Sequence, residues 1–218
     1  LDPSTLDIVL FRHQFTLHES LTEATLAIFA DTRYEVWLDG VWVGRGPARF
    51  SRTRHEYDSQ PLGSLAVGKH TIAVLVQWAP NIRRAESTTP HLLAHIQGQS
   101  HGQPQVIAPT GHDWNVLPTD DWRTAAALVH TLNLLGPTEL IDLRRLPAAW
   151  MQPEFDDAHW SLAVSKSLTT TIHYAPRSIP LLANVPFTAT VIETGHLSPH
   201  RSLGQLTSTT PLPYSLPF

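Results

Sequence analysis

Ala30-Asp31-Thr32-Arg33-Tyr34-Glu35-Val36-Trp37-Leu38-Asp39-Gly40-Val41-Trp42-Val43-Gly44 alternates in polarity, turns at Asp39-Gly40 and alternates again. Asp-Gly between two alternating runs is a strong short-range hairpin signal, because a type I′ turn needs positive φ at both central residues. A two-residue turn sets Leu38 opposite Val41, Trp37 opposite Trp42 and Val36 opposite Val43. Side chains two apart share a face of a strand. Tyr34, Val36, Leu38, Val41 and Val43 therefore form an aliphatic face that reads as core. Arg33, Glu35 and the Trp37/Trp42 pair form the other face, which suits either packing or ligand contact.

Outward from this hairpin, strand-like stretches recur with turns between them. Residues 10–17 alternate, and residues 26–30 lead into the hairpin. Residues 70–78 follow the turn at Gly68-Lys69 and place Ile72, Val74, Val76 and Trp78 on one face. Residues 92–97 and 105–108 flank a Gly/Ser/Gln turn at 98–102. Residues 49–59, after the turn-rich Gly44-Arg45-Gly46-Pro47, read as a polar loop. Short strands with spaced turns predict a mainly β fold, a β-sandwich of jelly-roll type, and the lack of alternating periodic helices disfavours a βαβ fold.

The middle of the chain differs. Residues 124–135 are rich in Ala and Leu, with Ala126, Val129 and Leu132 at helical spacing. Thr119 or Asp120 can serve as the N-cap and Gly136-Pro137 as the stop, which predicts a small helical insertion. Residues 139–143 read as a returning strand, and residues 168–174 as the last strand of the sandwich. The predicted division is a sandwich over 1–175 and a Pro-rich linker, or the start of a following domain, over 176–218.

Composition narrows the function classes. The 218 residues suffice for one large or two modest domains, and the 18 prolines mark a loop-rich β protein. A net charge of −4 with only 15 Lys and Arg argues against a nucleic-acid partner. No apolar run approaches the ~20 residues that span a bilayer, and no charged segment precedes an apolar one at the start. The chain opens on Leu1, as a fragment would. With no cysteine, disulfides, thiolate metal sites and thiol nucleophiles are excluded, whereas the compartment, bacterial cytoplasm or secreted, stays open.

Glycoside hydrolysis needs two carboxylates ~5–9.5 Å apart across the sugar. The adjacent acidic pairs are Asp120/Asp121 and Asp156/Asp157. Neighbours on an extended chain point to opposite sides, so neither pair suits acid/base chemistry. Asp156/Asp157 read as a turn whose side chains accept backbone N–H groups. Among 13 histidines, His196 and His200 have tempting spacing, but Pro199 breaks any helix that would align them. His91 and His95 would share a strand face without a third ligand nearby. No metal site is predicted, and no cofactor beyond the option of calcium. Sugar binding is simpler, since it needs aromatic faces and side chains that bond hydroxyls. Arg33, Glu35, Trp37, Trp42 and Trp78 supply these types and are the candidate sugar-binding residues, with packing as their competing role.

Several motifs occur in a telling order. Phe11-Arg12-His13-Gln14-Phe15, the hairpin through Pro47, and Leu92 to Ile96 with Val106-Ile107 and Asp113-Trp114-Asn115-Val116 come first. Phe155-Asp156-Asp157-Ala158-His159-Trp160 and Pro176-Arg177-Ser178-Ile179-Pro180-Leu181-Leu182 follow. Together they resemble the N-terminal galactose-binding-like β-sandwich of bacterial α-L-rhamnosidases and related multidomain glycoside hydrolases. That resemblance implies a non-catalytic accessory module, whose partners are the catalytic and neighbouring domains of a parent hydrolase, with rhamnose-containing glycan as a candidate ligand. The alternative is a free-standing, lectin-like carbohydrate-binding protein, calcium-dependent or not. Asp31-Thr32-Arg33 stands where the family has Asp-Gly-Arg, and Asp39-Gly40 where it has Asn-Gly. The segment Gln77-Trp78-Ala79-Pro80-Asn81 lacks the glycine-rich form often seen there.

Overall fold

A computed structural model describes residues 7–51, 53–78, 90–119, 122–125, 138–141, 146–165, 172–185, 188, 190, 198–199 and 206–207. Among these the chain forms strands and no helix. In chain order they are β1 (Asp7–Leu17), β2 (Leu21–Asp31), β3 (Arg33–Leu38), β4 (Val41–Gly46), β5 (Arg54–Leu65), β6 (Gly68–Trp78), β7 (His91–Ser100) and β8 (Gln103–Ile107). After them come β9 (Asn115–Thr119), β10 (Trp122–Ala125), β11 (Thr138–Ile141), β12 (Ser161–Leu162), β13 (His173–Pro176), β14 (Ser198–Pro199) and β15 (Leu206–Thr207). One sheet runs β12-β9-β1-β6-β3-β4 and the other β13-β5-β2-β7-β8. Pairing is antiparallel except for β13, which lies parallel to β5. Two further two-stranded ribbons are β10-β11 and β14-β15.

The expected sandwich forms because one face of each sheet is apolar. Leu26, Ile28 and Ala30 of β2 meet Val36 of β3 and Ile72, Val74 and Val76 of β6 between the sheets, and Trp114 joins the same core. Strand β6 is buried along both faces, because its other face is covered as well. There Ile8, Leu10, Ala73 and Leu75 pack under Trp150 and Trp160, with Trp37 and Phe155 at the margin. A cover of residues 146–160 thus gives the six-stranded sheet a second hydrophobic layer.

The hairpin turns at Asp39-Gly40, with φ of +50° and +76°, as a type I′ turn requires. Asp39 is locked by the N–H of Thr71 at its Oδ1 (2.7 Å) and by His70 Nδ1 at its Oδ2 (2.7 Å). Leu38 pairs with Val41 and Trp37 with Trp42, but a register shift then sets Val36 opposite Gly44, not Val43. This bulge adds one residue to β4 and brings Gly44 and Gly46 opposite Val36 and Tyr34. There is no room for a side chain at either glycine. A Cβ on Gly44 would lie 2.6 Å from the Gln60 amide, and one on Gly46 1.9 Å from Asp58 Oδ2. Val41, expected in the core, is 69% exposed, because it sits at the turn on an edge strand. Gly46→Ala is expected to cost about 1–3 kcal/mol by overpacking, read as a lower urea midpoint at unchanged slope.

Two further expectations are corrected. Residues 54–59 of the supposed polar loop at 49–59 belong to the long strand β5, which runs from Arg54 to Leu65. Its inward positions carry Asp58 and Gln60, so hydrophobic alternation is missing although the pleat is there. The start of the expected helical insertion is strand β10, paired with β11. Pairing with a partner strand overrides the weak local helix preference of Thr-Ala. Residues 126–135 lie outside the described residues, as do Asp120, Asp121, His196, His200 and residues 168–171.

Candidate functional site

Arg33, Glu35 and Trp37 of β3 pair with Gln77, Leu75 and Ala73 of β6, and therefore share the outer face of the six-stranded sheet. Trp42 stands opposite Trp37. Trp78 follows Gln77 and so has the opposite parity, on the inward side; the structure does not bring it to the other four. Arg33 Nη1 donates to Gln77 Oε1 (3.2 Å). Trp37 meets Trp150 edge-on, ring centroids 5.4 Å apart, so its indole is shared with the 146–160 cover. Trp42 and Glu35 are half-buried. The hairpin's outer face thus offers a partly open strip flanked by that cover.

The cover is fastened by a buried arginine. Arg12 is fully buried on β1, and its Nε donates to Asp157 Oδ2 at 2.8 Å. Its Nη1 donates to the carbonyls of Trp150 and Gln152, and its guanidinium lies 5.2 Å from the Phe155 ring centre. Asp156 accepts the N–H of Ala158 at 3.0 Å, which is the expected turn. The acidic pair thus closes a turn and anchors an arginine. Arg and Asp belong to two of the ordered motifs, and here they meet.

A second buried group ties down the residues that follow β13. The Tyr34 hydroxyl donates to Asp58 Oδ2 (2.5 Å), Gln60 Nε2 donates to that hydroxyl (3.1 Å), and Arg177 Nη1 donates to Asp58 Oδ1 (2.8 Å). Burial, and then the Asp58 carboxylate, raise the Tyr34 hydroxyl far above its ordinary pKa. It therefore stays a neutral donor. Nearby, Glu56 accepts from the N–H (3.1 Å) and hydroxyl (2.9 Å) of Ser178.

Sequence reasoning passed over a third group, on the outer face of the five-stranded sheet. His55 is buried among Phe29, Phe50, His91 and Tyr174. His91 Nε2 and the Tyr174 hydroxyl are 2.8 Å apart. Burial, with His91 beside it, holds His55 down to about 4. Burial and the nearby Asp31 push Tyr174 up to about 12. The available signal was the alternation His55, Tyr57 along β5, hidden by the loop reading. No group of three or more metal-ligating side chains occurs among the described residues.

Two stacked sheets, an apolar core between them and clamped covering segments define a mainly β sandwich of jelly-roll type. No family profile matches the chain. Over 162 residues it is 28% identical to an α-L-rhamnosidase of Streptomyces avermitilis, a match covering 68% of this chain and 15% of that protein. Among solved structures it resembles the GH78 family rhamnosidase of Bacillus sp. GL1, with TM-score 0.69 and 29% identity over 80% of this chain and 18% of that one. The α-L-rhamnosidase of Dictyoglumus thermophilum, with TM-score 0.63 and 18% identity over 79% of this chain and 19% of that one, shares the fold. The chain is homologous to a β-sandwich portion of GH78 α-L-rhamnosidases. It spans less than a fifth of the length of these relatives.

Proposed function

We propose that this sandwich is a non-catalytic accessory module of an α-L-rhamnosidase-type glycoside hydrolase, serving to position the catalytic domain. The observation that carries the reading is the clamped exit. Arg177 is pinned to the buried Asp58 and Ser178 to Glu56, so the chain is held against β5 just where the expected boundary of the sandwich falls. A rigid exit sets the orientation of whatever follows, which a flexible linker would not do. Homology confined to a small part of much longer hydrolases supports the same reading. The alternative reading, carbohydrate binding, would use Arg33, Glu35, Trp37 and Trp42 on the hairpin's outer face, through ring stacking and hydrogen bonds to hydroxyls.

The purified 218-residue chain is expected to release no product from an aryl α-L-rhamnoside. It is also expected to give a flat calorimetric titration with rhamnose and galactose, with or without calcium. Measurable turnover would overturn the non-catalytic assignment. Saturable binding that Trp42→Ala abolishes would replace pure positioning with carbohydrate binding at the hairpin face.

A further inference from the structure

We propose that β13 together with Arg177 and Ser178 is an acid-releasable latch, held down by its packing on the buried His55 ring and by the Glu56 carboxylate, and freed when these two groups take up protons while the two sheets stay folded. The device works on the exit segment but rests on its contacts alone, so its failure would leave the accessory reading standing.

The latch is short and lies at an edge. β13 has four residues, and its only described sheet neighbour is β5, to which it is parallel. Its attachments sit beside titratable groups. Tyr174 shares a hydrogen bond with His91 and meets His55 edge-on, ring centroids 5.3 Å apart. The Ser178 N–H and hydroxyl both donate to Glu56. Arg177 donates to Asp58, and its N–H donates to the Tyr57 carbonyl at 2.9 Å.

A second proton on the His55 ring would gain no hydrogen bond at Nδ1. The ring stacks 4.5 Å from Phe29 and 5.8 Å from His91, and its buried Nδ1 finds no hydrogen-bond partner among the described residues. A proton there would add a donor without an acceptor and a cation against a second imidazole. The groups around it come from every packed element. β2 contributes Phe29, β7 His91 and β13 Tyr174, with Asp31 of β2 near Tyr174, whereas Arg54, Glu56 and Asp58 of β5 and His173 of β13 have the opposite parity on their strands. Phe50 closes the remaining side. β5, β2 and β7 are locked into the sheet on long registers, so the four-residue β13 is the wall that gives way.

The sign follows from linkage. Burial and His91 hold His55 below its ordinary value, at about 4. The stabilisation is present above pH 6.5 and fades as pH falls from 6.5 toward 4. The Ser178 N–H leads in lowering Glu56, so its contribution is present above its ordinary value of 4.5 and disappears as pH falls through the lower, folded one. Both losses weaken the same segment on acidification.

Hydrogen–deuterium exchange of the full chain tests this, with rates corrected for the intrinsic effect of pH. The amides of Tyr174, Ala175, Arg177 and Ser178 should lose at least about tenfold protection between pH 6.5 and 4, from a shift of more than one pKa unit. Those of β1 and β6 should hold theirs. His55→Phe should remove most of that loss. Glu56→Gln, at a site whose exposure does not threaten folding, should lower protection at pH 7 and flatten the dependence below pH 5. The proposal is overturned if both sheets lose protection together with β13, or if Glu56→Gln and a folded His55→Phe both follow the wild-type profile.

Discussion

Asp58→Ala is expected to lower the unfolding free energy by about 3–5 kcal/mol, because it breaks a fully desolvated pair and strands its partner. Asp58 is completely buried, and the Arg177 side chain is only 6% exposed. The carboxylate also accepts the Tyr34 hydroxyl, so its loss leaves a buried phenol short of its acceptor. Urea unfolding followed by circular dichroism measures the effect. The double variant Asp58→Ala with Arg177→Met should recover part of the loss, since it removes the uncompensated charge. A single-variant loss below about 1 kcal/mol would show that the pair contributes no more than an exposed one.

Arg12→Ala should be about as severe, again about 3–5 kcal/mol, and should leave a different trace. The side chain joins β1 to Asp157 and to three backbone carbonyls of the 146–160 cover. Removing it uncouples that cover from the sheet. Trp150 and Trp160, 2% and 6% exposed, would meet water, so tryptophan emission should shift to the red at denaturant concentrations where the strand signal is intact. Arg12→Lys keeps the charge but cannot reproduce the planar fork that serves several acceptors. It should fall between wild type and Arg12→Ala. Coincident emission and strand transitions in Arg12→Ala would mean that the cover is not separately fastened.

These two residues show where sequence reasoning stops. Arg12 and Arg177 stand in motifs quoted from the sequence, yet alternation along β1 marks Arg12 only as a polar residue on one side of a strand. Its partner Asp157 lies 145 residues away, and Asp58 lies 119 residues from Arg177. Periodicity reports which way a side chain points, and nothing about the segment that will cover it. Residue type groups Trp78 with Trp37 and Trp42, although its parity already sets it with Ile72, Val74 and Val76. The limit of periodicity also makes β5 read as a loop, since buried Asp58 and Gln60 look like solvated residues until their partners arrive.

Local physics, by contrast, was fully written in the chain. Asp39-Gly40 dictates its turn through backbone sterics, and the alternating aliphatics of β1, β2, β3 and β6 dictate a shared core through hydrophobic burial. Both effects act within a few residues of chain, so the sequence alone determined a strand-rich sandwich. Only the tertiary structure decided which outer faces are covered, which charges are paired in the interior and which imidazole is kept dry. Each of those depends on desolvation by other strands and covering segments brought together only in the fold, and no local pattern encodes that.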